Sequence, residues 1–217
     1  MLIFTGVAPI EANATSNFAL WVGTIGSARG YKEEVREHRN LLRWPIIVSI
    51  CGSLLGALLL LHTSEHVFTR MIPYLLLFAT LLFAFSPLLR ASRTGGGAQH
   101  HSPGQLAAQF LTAIYGGYFG AGMGFMMLAI LAFSGLPSLN AMNAVKNVLA
   151  VAINGVALIP FIIAGIIQWP QALLMAVAAI IGGYFGSRIA RRLPSSLLRA
   201  VVIVLGATMT TYFFLRR

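Results

Sequence analysis

Apolar residues run along this chain in seven long segments, broken by short polar stretches that hold most of the charge. Residues 1–28 form the first, punctuated by Pro9, Glu11 and a polar cluster of Asn13, Thr15, Ser16 and Asn17. A charged loop at 29–43 carries Arg29, Lys32, Arg36, Arg39 and Arg43. Pro45–Leu61 and Met71–Leu89 follow, with a small polar turn at 62–70 between them. Residues 90–104 (RASRTGGGAQHHSPG) are basic, glycine-rich and lack an apolar face, the composition of a linker. Gln105–Phe133 is long and interrupted by glycines, and Ala141–Ile167, Gln171–Ser187 and Leu198–Leu215 complete the set. An arginine-rich turn (Arg188, Arg191, Arg192, Arg199) precedes the last. Runs of this length and polarity predict membrane-spanning helices; Pro45–Leu61 is short but adequate where the bilayer adapts. The expected fold is an all-α polytopic membrane protein with glycine-interrupted helices.

Composition agrees: 58% of the 217 residues are hydrophobic and 9% charged. Fifteen Lys and Arg against five Asp and Glu give a net charge of +10. In a soluble protein that excess would suggest nucleic acid. Here the cations sit in short loops between apolar runs, so they set membrane orientation and no nucleic-acid partner is expected. The acids are Glu11, Glu33, Glu34, Glu37 and Glu65, so the second half has no carboxylate for metal binding or acid–base work. No enzyme activity, cofactor or metal is expected. His62-Thr63-Ser64-Glu65-His66 has the H-x-x-E-H pattern of an inverted zinc protease, but no acid downstream of Glu65 can complete its ligand set. Cys51 is the single cysteine, which excludes an intrachain disulfide. Residues 1–10 have no basic n-region and run into Glu11, so no cleavable signal peptide is expected.

The basic loops 29–43 and 90–104 are separated by two spans, which places both in the cytoplasm and 62–70 outside. Simple counting leaves the arginine-rich turn outside. A net odd number of crossings over 105–167 brings it inside and sends Arg216 and Arg217 out. A broken or re-entrant segment at the glycines would give that number.

The polar chemistry concentrates between Tyr115 and Asn154. Gly116, Gly117, Gly120, Gly122 and Gly124 crowd together, followed by Asn140, Asn143, Lys146, Asn147 and Asn154. Lys146 is the only formal charge between Arg93 and Arg188. A lysine near the centre of a spanning helix costs about 2.5–3.5 kcal/mol on insertion scales, so it is expected to face protein or a water-filled path. Asn143, Lys146, Asn147 and Asn154 share one helix face, a polar stripe that suits an anion. The competing readings are that the asparagines bond helix to helix and that Lys146 snorkels to the interface.

The two halves resemble each other at a spacing of 130 residues. Phe4-Thr5-Gly6-Val7 parallels Phe133-Ser134-Gly135-Leu136, and the Asn-Ala-x-x-Asn at 13–17 parallels that at 143–147. Gly52 and Gly56 parallel Gly182 and Gly186, read as small residues for close helix packing. The division is 1–89 as first repeat, 90–104 as linker and 105–217 as second repeat. The counterpart of the glycine-rich segment would precede Phe4, so the first repeat is expected to lack its first helix.

Gly-Gly-Tyr-Phe-Gly-Ala-Gly-Met-Gly at 116–124, Ser-Gly-Leu-Pro at 134–137 and Asn-Ala-Val-Lys-Asn at 143–147 resemble the second-half signature of the sulfite exporter TauE/SafE family. Thr5-Gly-Val and the stretch Ala12 to Asn17 resemble its first-half motif. The resemblance implies a multi-pass inner-membrane transporter, a secondary carrier for small sulfur-containing anions such as sulfite or organosulfonates. Its partners would be the lipid bilayer, the anionic substrate and, for a homo-oligomer, further copies of itself. Transporters built from repeats bind substrate at the repeat interface. The expected site is therefore Asn13, Ser16 and Asn17 facing Asn143, Lys146 and Asn147, with Gly120, Gly122 and Gly124 admitting the ligand or hinging. The alternative is a non-transporting scaffold or subunit, or an inactive truncated transporter.

Overall fold

The computed structural model describes residues 6–29, 31–91, 102–190 and 195–215. Most of the 90–104 linker lies outside these, as do Phe4, Thr5, Arg191, Arg192, Arg216, Arg217, the surroundings of Gly186 and the side chains of Arg188 and Arg199. The described residues form nine α-helices: α1 (Pro9–Arg29), α2 (Lys32–Glu37), α3 (Arg39–Leu61), α4 (Glu65–Ala91), α5 (Pro103–Tyr118), α6 (Met123–Leu131), α7 (Leu139–Ile163), α8 (Trp169–Ala190) and α9 (Ser195–Leu215).

Local chemistry sets several of these boundaries. Ser102 and Gln105 form a reciprocal capping box with Pro103 at the first turn of α5, and the Ser138 hydroxyl accepts from Ala141 N to start α7. The stretch 29–43 is largely helical rather than a loop. Glu33 and Glu34 in the first turn and Arg36 in the last complement the dipole of α2, and burial of Leu41 and Leu42 carries α3 back to Arg39. Likewise α4 starts at Glu65, inside the stretch expected as a turn.

Side-chain contacts fix the helix directions. α1 and α7 cross antiparallel, with Trp21 Nε1 donating to Val151 O at 3.1 Å and Ala14 in one apolar cluster with Ala157, Leu158 and Phe161. α1 and α8 run parallel: Phe18 meets the Trp169 ring at 5.5 Å, and Gly23 faces Ala179 five and ten residues further on. α3 runs parallel to α7, where Ser53 Oγ donates to Ile153 O at 2.5 Å. It also runs parallel to α5, tied by Gln109 Nε2 donating to Ser49 Oγ (2.9 Å) and Tyr118 OH donating to Thr63 Oγ1 (3.3 Å). α4 and α9 pair antiparallel through Tyr74–Phe214 (5.2 Å) and Thr80 against Gly206.

The bundle thus has two ends. One, called here the basic end, holds α2, the starts of α3, α5 and α7, and the finishes of α1, α4, α6 and α8. The opposite end holds the starts of α1, α4 and α8 and the finishes of α3, α5 and α7. α5 reaches the opposite end at Tyr118. The chain then doubles back through 119–122, and α6 returns beside α4, with Gly122 against Ala79 and the Phe83 and Phe125 rings 4.3 Å apart. Residues 105–167 therefore make a net odd number of traverses, and α8 finishes at the basic end.

Equivalent residues 130 apart occupy equivalent places. Pro9 and Leu139 open α1 and α7, and Arg39 and Trp169 open α3 and α8. Thr80 donates to Leu76 O in α4 as Thr210 does to Gly206 O in α9.

Among the described residues three helices, Arg39–Leu61, Glu65–Phe85 and Asn140–Ile163, are long and apolar enough to cross a membrane, and Trp169–Gly182 and Ala200–Leu215 are shorter apolar helices. Large apolar side chains such as Leu58, Phe78, Leu174 and Val204 cover the outer faces of α3, α4, α8 and α9, a surface suited to lipid rather than water. Trp44 at the basic end and Trp169 at the opposite end are both exposed, as interfacial tryptophans are.

The glycine pairs differ in role. A Cβ on Gly52 would lie 2.6 Å from Phe110 O, and one on Gly56 would strike Ile114 O. Reciprocally, one on Gly117 would strike Ser53 O, so α3 and α5 meet backbone to backbone. Gly182 has open space around it among the described residues, which do not form there the packing expected by analogy with Gly52.

Candidate functional site

The glycine-rich segment resolves into two kinds of glycine. Gly116 and Gly117 are packing residues: a Cβ on Gly116 would lie 2.7 Å from Met123 Sδ and 2.9 Å from Ile153. Gly120 and Gly122 each have φ +80°, the left-handed region that favours glycine, and together they reverse the chain between α5 and α6. The Tyr115 hydroxyl pins this reversal by donating to Ala121 O at 2.7 Å. Gly124, in the first turn of α6, lies beside the Lys146 stem, whose Cδ is 3.7 Å from where a Cβ would be.

Lys146 therefore lies between α7 and the start of a half-length helix that begins inside the bundle. Its ammonium donates to Asn143 Oδ1 at 3.0 Å, one turn back on the same helix. Asn147, next to it, is buried, as is Asn154 two turns further on. Gly124, Asn143 and Lys146 are thus brought together. The first-half residues lie elsewhere: Asn13 Nδ2 donates to Tyr118 O at 3.0 Å, at the carbonyl end of α5, and Ser16 Oγ donates to its own helix at Ala12 O. Asn17 is buried, and its Oδ1 has no hydrogen-bond partner among the described residues.

Asn17 lies one helical turn before Trp21, and Asn147 one turn before Val151. Because α1 and α7 are antiparallel, the two amides flank the Trp21–Val151 contact on opposite sides. A separation of eight residues along the crossing corresponds to about 12 Å of helix rise. The asparagines expected to face each other thus approach the middle of the bundle from its two ends.

The opposite end of α1 is tied down by contacts with no counterpart in the sequence reading. Gln168 Nε2 donates to Glu11 Oε2 at 2.9 Å, and Gln168 N donates to Thr15 Oγ1 at 3.1 Å. Ile10 N donates to Glu65 Oε2 at 3.2 Å, so the carboxylate of the H-x-x-E-H string completes the first turn of α1. His62 Nδ1 lies 2.8 Å from Leu58 O, at the end of its own helix. No group of three or more potential metal ligands occurs among the described residues.

An all-helical bundle with an apolar exterior, a broken helix inside it and one lysine beside the break defines an integral membrane protein with a polar interior. The chain matches the sulfite exporter TauE/SafE family over residues 1–213, and it belongs to that family of membrane transporters. It is 28% identical over 220 residues to a probable membrane transporter protein of Haemophilus influenzae, covering 96% of this chain and 82% of that protein. It is 26% identical to the probable membrane transporter protein YfcA of Escherichia coli, covering 96% of this chain and 77% of the relative. A third relative, the probable membrane transporter protein ORF9 of Sinorhizobium sp, is 26% identical with 96% and 79% covered. No solved structure matches the chain significantly.

Proposed function

We propose that this protein is a secondary carrier for small sulfur-containing anions such as sulfite or organosulfonates, with Lys146 at the substrate position. The observation that carries the reading is the placement of Lys146: a cation inside a membrane bundle, bonded to Asn143 and lying over Gly124 where α6 begins. Asn143, Lys146 and Asn147 would hold the anion from α7, and Asn13, Ser16 and Asn17 would serve it from α1 as the path shifts toward the opposite end. The glycine reversal at Gly120 and Gly122 brings the start of α6 beside Lys146, and repeat-built transporters receive anions at the starts of broken helices.

Residues 1–89 and 105–217 are read as two repeats of inverted orientation. The constant spacing of 130 residues and the antiparallel crossing of α1 on α7 support this. The concentration of Arg and Lys at the basic end makes that end the cytoplasmic one in an inner-membrane protein.

The test is flux of labelled sulfite into proteoliposomes holding the wild-type chain or Lys146→Ala. Uptake by the wild type that disappears in a folded Lys146→Ala supports the carrier. Equal uptake in both removes Lys146 from the path.

A further inference from the structure

At the basic end, α1, α2 and α7 enclose an open groove of about 350 Å³. Its walls are Ile25 and Ala28 from α1 and Val148 and Val151 from α7. α2 closes the top with Val35, Lys32 and Arg36. The groove is apolar below and cationic at its rim.

The charge on α2 is sorted by face. At 100° per residue, Lys32, Val35 and Arg36 fall within one sector, while Glu33, Glu34 and Glu37 fall on the other side. The helix therefore turns its cations and its one apolar residue to the groove and its acids away. α2 also joins the finish of α1 to the start of α3, where exposed Trp44, with the Arg43 guanidinium 5.9 Å from its ring centre, marks the membrane–water boundary. Lys32 and Arg36 are themselves exposed, at that boundary.

An apolar slot between spanning helices, opening under two cations at headgroup level, is complementary to a molecule with an acyl chain below and a negative charge above. We infer that this groove binds an anionic phospholipid of the leaflet at the basic end, its phosphate between Lys32 and Arg36 and its chain along Val148 and Val151. Bound there, the lipid would touch α7 next to Val151, the residue that meets Trp21 at the α1–α7 crossing.

The test does not depend on transport. Purified protein is titrated with phosphatidylglycerol, or with phosphatidylcholine of the same chains, and the lipid-bound fraction is read by native mass spectrometry. The wild type is expected to hold phosphatidylglycerol about ten-fold better, as two interfacial cations allow. Lys32→Gln with Arg36→Gln, both on an exposed helix, should erase that preference. Val148→Trp, which fills the groove and leaves the charges, should weaken both lipids. An undiminished preference in the double glutamine variant would overturn the inference. So would glycerol phosphate displacing the lipid at equal concentration, since the chain would then contribute nothing.

Discussion

Trp21 and Val151, 130 residues apart in the chain, meet where α1 crosses α7, the indole Nε1 donating to the Val151 carbonyl at 3.1 Å. They are equivalent positions under the 130-residue spacing, so on the proposed repeat reading the crossing is where the two halves meet. Gly155 makes the close approach: a Cβ there would lie 2.8 Å from Trp21 Nε1. Gly155→Ala should therefore lower the thermal unfolding midpoint in detergent, by the equivalent of about 1–3 kcal/mol of overpacking. Trp21→Phe, which loses the hydrogen bond and keeps much of the packing, should cost about 1 kcal/mol.

Replacing Lys146 tests charge against shape. Lys146→Met keeps the stem beside Gly124 and removes the cation, and sulfite flux in proteoliposomes should fall by about ten-fold or more, the worth of one charge-assisted hydrogen bond. Lys146→Arg should retain more flux than Lys146→Met. Unfolding midpoints near that of the wild type would show that the loss lies in transport.

The α3–α5 seam should be intolerant where backbones touch. Gly56→Ala and Gly117→Ala place a methyl group on a carbonyl of the neighbouring helix, and each should destabilise by about 1–3 kcal/mol. Gly182→Ala, with open space around it, should leave the midpoint within about 0.5 kcal/mol of wild type. Equal losses at Gly182 and Gly56 would contradict the packing described.

Sidedness can be read by thiol labelling in a Cys51→Ser background, Cys51 being exposed and the single native thiol. Cysteines introduced at Lys32 and at Thr63 should react from opposite faces of an intact vesicle. Labelling of both from one face would contradict the ends assigned here.

Gln168 should act as a tie at the opposite end. Gln168→Ala removes the side-chain bond to Glu11 and leaves the backbone bond to Thr15. Modification of Asn17→Cys by a small charged thiol reagent should then quicken several-fold, on the expectation that losing one part-buried charged hydrogen bond costs about 1.5–3 kcal/mol.

The seven apolar runs, the arginine clusters and the 130-residue spacing were legible because each is a property of chain order: hydropathy, charge and periodic identity. Lys146 was legible because a lone cation in an apolar run has few places to go. The position of Asn17 relative to Asn147 was not, since it depends on α1 and α7 crossing antiparallel, and nothing in Asn-Ala-x-x-Asn encodes a crossing direction. Helix α2 was hidden among charges that read as a loop. The separate duties of Gly116 and Gly120, one packing and one turning, were equally hidden, because glycine looks the same in both. The Tyr115 hydroxyl on Ala121 O, and Gln168 on Glu11, join residues whose nearness arises only in the folded bundle.

The tie at the start of α1 has no twin. Shifted by 130 residues, Glu11 and Thr15 become Ala141 and Val145, and Gln168 becomes His38, so the carboxylate–amide pair cannot be rebuilt at the start of α7. The starts of α1 and α7 are therefore fastened unequally. Opening the bundle at the opposite end would part Glu11 from Gln168, a bond with no equivalent at the start of α7 among the described residues. The empty protein would rest on one side of its cycle, waiting with the same door unlocked, and a gradient would have to work against that preference in one direction only.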